Sequence, residues 1–257
     1  MSVNPAKDFG AIADDYSFFE RHATEAREDV RAYAEELSGL LPASGVVRML
    51  DFGCGTGGFT DRFLDALGRP SERVALTLAE PVDSVRRQAV ERLASRSGTP
   101  IVDSATLPAE GAGPFDLILA NHVFYYVPNL REELAKLVRS LADGGAFVTA
   151  IAGRSNALIQ FWIAAFAELG RDVPYHVAEN MEEALQELGA SYAKRSVEYE
   201  LTFEDSEANR MRILRFLLAD HLPLLPRGFL LRMFDRYACE GKMEIRTTSE
   251  HILIQRM

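Results

Sequence analysis

Cysteine is nearly absent from the chain. Only Cys54 and Cys239 occur in 257 residues, too far apart to frame a small disulfide scaffold, which implies a reducing compartment. Long apolar runs are missing too: none reaches the roughly 18 residues that a membrane-spanning helix needs, and the start, MSVNPAKDFG, lacks the basic end and apolar core of a secretory signal. A cytoplasmic protein away from membranes is therefore expected. Basic residues are in the minority, 28 Lys and Arg against 38 Asp and Glu for a net charge of −10, which disfavours the phosphate contacts that nucleic acids reward. Nucleic acid is not expected as a partner, and a small molecule is. There is no internal repeat and no low-complexity linker. With 47% hydrophobic residues the chain can bury a substantial core, and one domain acting as a monomer is expected.

Glycine, by contrast, is concentrated at one place. Val46 to Thr60 reads VVRMLDFGCGTGGFT: an apolar run, an acid, then four glycines opening a helical pattern, as where a buried strand turns tightly into a helix. Gly53, Gly55, Gly57 and Gly58 let a ligand approach the backbone and tolerate positive φ. The spacing Gly53-x-Gly55-x-x-Gly58 also fits a dinucleotide fingerprint, so the motif alone leaves the ligand open. Cys54, inside the turn, reads as a small filler rather than a reactive thiol.

The rest of the chain alternates. A helix is predicted over Glu25 to Leu41 with Val30, Tyr33, Ala34, Leu37 and Leu41 inward, then strands over Val46–Phe52, Arg73–Ala79, a short third ending at Asp103, Phe115–Ala120 and Ala146–Ile151. Helices near Gly57–Leu67, Val82–Leu93 and Leu130–Leu141 separate them, the last stopping at Asp143-Gly144-Gly145. Such alternation predicts right-handed βαβ units and an α/β, Rossmann-like doubly wound sheet. Later segments read as helices around Ser155–Leu169, Ala178–Leu188, Glu204–His221 and Pro226–Cys239, with strands at Ser191–Phe203 and Met243–Gln255. The expected layout is an N-terminal helical lid (1–44), a ligand-binding core (45–152) and C-terminal helices and closing strands (153–257), with about seven strands and the last one antiparallel. In such sheets ligands lie beyond the carboxyl ends of the strands, where Asp51, Glu80, Asp103 and Asn121 fall.

These residues resemble class I S-adenosylmethionine (SAM)-dependent methyltransferases. Asp51-Phe52-Gly53-Cys54-Gly55-Thr56-Gly57 is similar to the family's acid-x-Gly-x-Gly-x-Gly turn, Glu80 to its ribose acid, Asp103-Ser104-Ala105 to its adenine-contacting stretch and Phe115-Asp116-Leu117-Ile118 to its fourth-strand motif. The resemblance implies SAM as cofactor, bound by Asp51, Gly53, Gly55, Gly57, Glu80, Asp103, Ser104 and Asn121, and no metal. A dehydrogenase fits poorly, since an acid directly precedes the turn and the sheet starts only after about 45 residues.

Phe19-Glu20-Arg21-His22-Ala23-Thr24-Glu25 and Asn121-His122-Val123-Phe124-Tyr125-Tyr126-Val127 further resemble segments of the histamine N-methyltransferase family. That resemblance implies an amine acceptor held by Glu25, with His122 and Thr247 at its site, and Tyr16, Phe19, Tyr125, Tyr126 and Tyr175 are expected to line it with aromatic faces and hydroxyls suited to a cationic sulfonium and amine. His122 and Thr247 stand where that family has amides that read its substrate, so histamine itself is not expected. His122 is the expected proton acceptor, being an imidazole that titrates near neutrality, and Asn121 and Tyr175 are the further expected catalytic residues, placed to orient the amino acid portion of SAM in the alternative that follows. An alternative keeps the cofactor and dispenses with the acceptor. The α-amine of SAM would close on its own γ-carbon to azetidine-2-carboxylic acid, releasing methylthioadenosine. A binding protein without catalysis is the third class, disfavoured by the intact turn and Glu80.

Overall fold

The computed structural model describes residues 12–107 and 113–256. The chain opens with α1 (Ala13–His22) and α2 (Glu25–Glu36), and then alternates β1 (Val47–Phe52), α3 (Gly58–Leu67), β2 (Val74–Ala79), α4 (Asp83–Leu93), β3 (Val102–Ser104), β4 (Phe115–Asn121), α5 (Leu130–Arg139) and β5 (Leu141–Ile151). It closes with α6 (Ala157–Glu168), α7 (Ala178–Glu187), β6 (Tyr192–Glu204), α8 (Glu207–Leu218), α9 (Arg227–Arg232), β7 (Ala238–Cys239) and β8 (Lys242–Gln255). The first eleven residues of the expected N-terminal segment lie outside the described residues.

The strands form one sheet in the order β3-β2-β1-β4-β5-β8-β6, with β7 paired to β8. The pairs from β3 to β5 are parallel, and β8 runs antiparallel to both β5 and β6. The predicted doubly wound α/β sheet with an antiparallel last strand is thus present, and the two-residue β7 brings the strand number to eight. The central strands are apolar on both faces because both are covered. Met49, Leu76, Leu78, Leu117, Leu119 and Val148 point to Tyr33, Leu37, Phe63, Ala89 and Leu93 of α2 to α4 and the α2–β1 connection. Leu50, Ile118, Ala120, Phe147, Ile252 and Ile254 point to the other layer, with Leu134, Phe161, Phe166, Met181 and Leu214 of α5 to α8. Among the described residues no helix is long and apolar enough to cross a membrane.

Three local expectations are corrected. The helix expected to reach Leu41 ends at Glu36, with Leu37 as its C-cap. Asp143-Gly144-Gly145 does not stop a helix but lies inside β5, where the pairing with β4 shifts register between Phe115 and Leu117 and Gly144 takes φ 77°, as an irregular strand start requires. The segment expected as one helix from Pro226 to Cys239 breaks after Arg232 into a 3-10 turn at Asp235–Tyr237 and then β7.

Candidate active site

β1 delivers Asp51 and Phe52 to the carboxyl edge of the sheet. The chain then turns through the left-handed region at Gly53 (φ 77°), Gly55 (φ 53°) and Gly57 (φ 74°), which would cost an ordinary residue roughly 1–2 kcal/mol each. The Gly53 N–H donates to the Ala79 carbonyl at 2.7 Å, tying the turn to the end of β2. A Cβ on Gly53 would stand 2.3 Å from Val123 Cγ2, so the turn is packed against the segment after β4. At Gly55, nothing lies within 4 Å of a Cβ position, and the backbone faces open space.

Glu80 follows β2. Its Oε2 accepts from the Gly55 N–H at 3.2 Å and its Oε1 from the Val82 N–H at 2.9 Å. Arg86 of α4 braces this corner, donating to the Glu80 carbonyl at 2.6 Å and to Asp103 Oδ2 at 2.8 Å. Asp103 is thus an ion-pair partner of Arg86, and the Ser104 hydroxyl donates to the Thr106 carbonyl at 2.6 Å. Asp51 is buried and accepts from the Thr60 hydroxyl. Burial, reinforced by the Glu80 charge and opposed by the Thr60 bond, pushes its carboxyl up to about 7. Burial also pushes the Cys54 thiol up, in keeping with a filler rather than a nucleophile.

A second cluster lies at the end of β4 and on the neighbouring stretch of β8, beneath α2. Asp29, 1% exposed, accepts three bonds. His122 Nε2 and Asn121 Nδ2 donate to its Oδ2 at 3.0 and 3.1 Å, and His251 Nε2 donates to its Oδ1 at 2.8 Å. Tyr33 donates to Asn121 Oδ1 at 2.7 Å, so both ends of the Asn121 side chain are engaged by protein. One turn earlier on α2, Glu25 accepts from the Ser249 hydroxyl at 3.3 Å, bonds Tyr199 and stands 3.6 Å from His122 Nε2. Burial raises the Glu25 carboxyl, against the pull of His122. Burial would also raise Asp29, but the His122 charge and the bonds from His122 and His251 outweigh it and hold that carboxyl below the usual range.

His122 is the hinge of the cluster. Its backbone sits at φ 55°, an uncommon conformation for a residue with a Cβ, and its Nδ1 lies 3.0 Å from the Tyr125 hydroxyl. Burial disfavours the imidazolium, but Glu25 and Asp29 overcome it and raise the group to about 9. The two acids thus favour the charged ring, a form that donates from both nitrogens and has no lone pair for a proton, which does not favour the expectation that His122 is the proton acceptor. Tyr125 then accepts from His122 and from the Ala152 N–H at 2.7 Å.

The remaining predicted residues divide. Tyr16 and Phe19 of α1 pack on Phe216, with centroids 5.5 and 4.8 Å apart, and Tyr16 feels the Glu25 charge. Tyr175 rings with Trp162 and Tyr126, at 4.7 and 5.3 Å, whereas Asn121 bonds Tyr33 and Asp29. Thr247 Oγ1 accepts from the Ala157 N–H at 2.9 Å, fastening α6 to β8. Sequence reasoning missed Asp29, His251, Tyr199 and Ser249, and it read Tyr33 only as core. For Asp29 a signal existed, because it follows Glu25 by four residues and so shares its helix face.

A methyltransferase domain family model matches residues 19–195. The malonyl-[acyl-carrier protein] O-methyltransferase of Enterobacter lignolyticus is 28% identical over 222 residues, 85% of this chain and 83% of that protein. The trans-aconitate 2-methyltransferase of Rhizobium rhizogenes is 33% identical over 115 residues, 44% of this chain and 41% of that one. Among solved structures, the plantazolicin methyltransferase BpumL in complex with S-adenosylhomocysteine (SAH) superposes with a TM-score of 0.56 at 14% identity, covering 97% of this chain and 91% of its own. YcgJ of Bacillus subtilis gives 0.59 at 14% identity, covering 89% and 97%. With a family match over more than half of its length, the chain belongs to the methyltransferase domain family and is a SAM-dependent transferase.

Proposed function

We propose that the protein methylates the nitrogen of a small cationic amine, and that Glu25 both holds the ammonium and takes its proton. The observation that carries this reading is the Glu25 carboxyl, partly buried with 13% of its side chain exposed, set against His122, Tyr199 and Ser249 beside a fully buried acid, Asp29. A desolvated ammonium pairs well with such a carboxylate through a charge-assisted bond. Trans-aconitate and malonyl-acyl carrier protein, the substrates named for two relatives, are anions, and an anion there would meet two acids. The likeness of Phe19 to Glu25 and of Asn121 to Val127 to the histamine N-methyltransferase family supports the same acceptor class.

The residues of the glycine turn fit the cofactor. Gly55 leaves open the space that a Cβ would fill, and Glu80 is held by two backbone N–H groups at the neighbouring strand end, a placement suited to ribose hydroxyls. Gly53 to Gly57 would hold the methionine portion, Glu80 the ribose and the Asp103–Ser104 corner the adenine. Bound SAM supplies an electrophilic methyl group on a sulfonium. The acceptor must then lose a proton to expose its lone pair, and a carboxyl raised by burial is a suitable acceptor for it. As the new N–C bond forms, the C–S bond breaks and its electron pair stays on sulfur, with one proton released per turnover. Alignment of the two reactants supplies most of the acceleration; well-oriented reactions gain roughly 7–11 kcal/mol from it. α1 and α2 act as a lid over the acceptor.

Purified protein incubated with SAM, with and without a panel of primary and secondary amines, tests this by mass spectrometry. The expected result is SAH and a methylated amine, dependent on the amine. Methylthioadenosine and azetidine-2-carboxylic acid from SAM alone would replace the proposal with self-cyclisation.

A further inference from the structure

Asp29 has no place in the reaction so far, yet it is the most highly bonded side chain of the acceptor cluster. From helix α2 its two oxygens gather groups of two strands: Asn121 and His122 at the end of β4, and His251 in β8. It touches neither the glycine turn nor open space, being 1% exposed. Its effect must pass through what it holds, and one of those groups, His122, stands 3.6 Å from Glu25.

We infer that Asp29 is a positioning residue for methyl transfer, holding His122 against Glu25 so that the amine-binding carboxylate has a fixed counter-charge. The inference rests on the amine reading above. The strained backbone at His122, φ 55°, puts the imidazole at the mouth of the cluster only while something holds it there, and Asp29 and Tyr125 are its two hydrogen-bond partners among the described residues. A buried carboxylate beside a second carboxylate is unfavourable unless a cation lies between them. His122 is that cation, serving Asp29 at 3.0 Å and Glu25 at 3.6 Å. Without Asp29 the ring would lose one of the two carboxylates that favour its charged form, and the one it hydrogen-bonds, so the imidazole would no longer be fixed as a counter-charge 3.6 Å from Glu25. The other titratable groups around the ring are Tyr33 of α2, Tyr125, Tyr199 of β6 and His251 of β8. Burial raises all three tyrosines well above their ordinary range, so none of them supplies charge at neutral pH.

The test compares Asp29→Asn with His251→Gln in the full-length protein. Both alter the Asp29–His251 pair, but only the first removes the carboxylate charge that His122 hydrogen-bonds. Asp29→Asn should lower kcat/KM for the amine at least 100-fold while leaving the SAH dissociation constant within threefold, whereas His251→Gln should cost less than tenfold. An independent readout is the imidazole titration of His122 followed by NMR without any amine. Its midpoint should fall by 2 or more pH units in Asp29→Asn and by less than 1 in His251→Gln. Equal effects of the two variants, or an unmoved His122 titration in Asp29→Asn, would overturn the inference. If the wild-type protein methylates no amine, the acceptor reading fails on its own, and the NMR comparison still decides whether Asp29 governs His122.

Discussion

Asp51 offers a direct measure of how the glycine turn is built. It is 3% exposed, its one side-chain partner among the described residues is the Thr60 hydroxyl, and its carboxyl is raised from 3.8 to about 7. Between those values the folded protein keeps a proton that the unfolded chain has already released. Stability therefore falls as pH rises from about 4 through 7, and the full cost is present above 7. At 1.36 kcal/mol per unit the full span comes to about 4 kcal/mol, of which about 2.5 kcal/mol accrues between pH 5 and pH 8. Asp51→Asn keeps an acceptor for Thr60 and carries no charge, so it removes this dependence. Urea unfolding of both proteins at pH 5 and pH 8, without cofactor, should show the variant gaining about 2.5 kcal/mol on the wild type over that interval. Parallel stability curves would refute the reasoning, because they would mean that Asp51 is ionised at little cost in the folded state.

The two glycines at the bottom of the turn should separate stability from binding. Gly53→Ala drives a Cβ to 2.3 Å from Val123 and adds left-handed strain, so thermal unfolding should report a loss of about 2 kcal/mol or more. Gly55→Ala meets no atom and should lose only about 1–2 kcal/mol from its φ, but its methyl enters the cofactor's space, and calorimetry should show SAH affinity falling more than tenfold. Glu80→Ala removes the carboxylate held by Gly55 and Val82 and should weaken SAH by about 1.5–3 kcal/mol, the worth of hydrogen bonds to a charged group; unchanged affinity would show that the ribose lies elsewhere. Glu25→Gln keeps a partner for Ser249 and deletes the charge. Steady-state kinetics should show kcat/KM for the amine falling by about 2–5 kcal/mol, the cost of truncating a buried charge pair, with the SAM dependence nearly unchanged.

How much of this was legible beforehand follows from how the chain brings groups together. The cofactor corner is written locally: Asp51 and the glycines follow one strand, Glu80 the next and Asp103 ends the third, so strand periodicity alone puts them on one edge of a parallel sheet. Even the brace from Arg86 to Asp103 spans only one helix and one connection. The acceptor cluster has no such spacing. Asp29 and His251 are 222 positions apart, and they meet because β8 runs antiparallel between β5 and β6, a return that no short window of sequence encodes. Glu25 is reached through family likeness, whereas His122 as a proton acceptor follows only from the ordinary titration range of an imidazole. That range is shifted by two acids of another element, Glu25 and Asp29. The helix α2 could have warned of this: Glu25, Asp29, Tyr33 and Glu36 follow one another at three- and four-residue steps, a polar stripe on the side that should face the core. A buried polar stripe on a helix is costly unless every member is bonded, so such a stripe in a sequence announces partners on the facing strands. Here those partners are Asn121 and His122 at the end of β4, Ser249 and His251 within β8 and Arg195 of β6, which fasten α2 to the sheet.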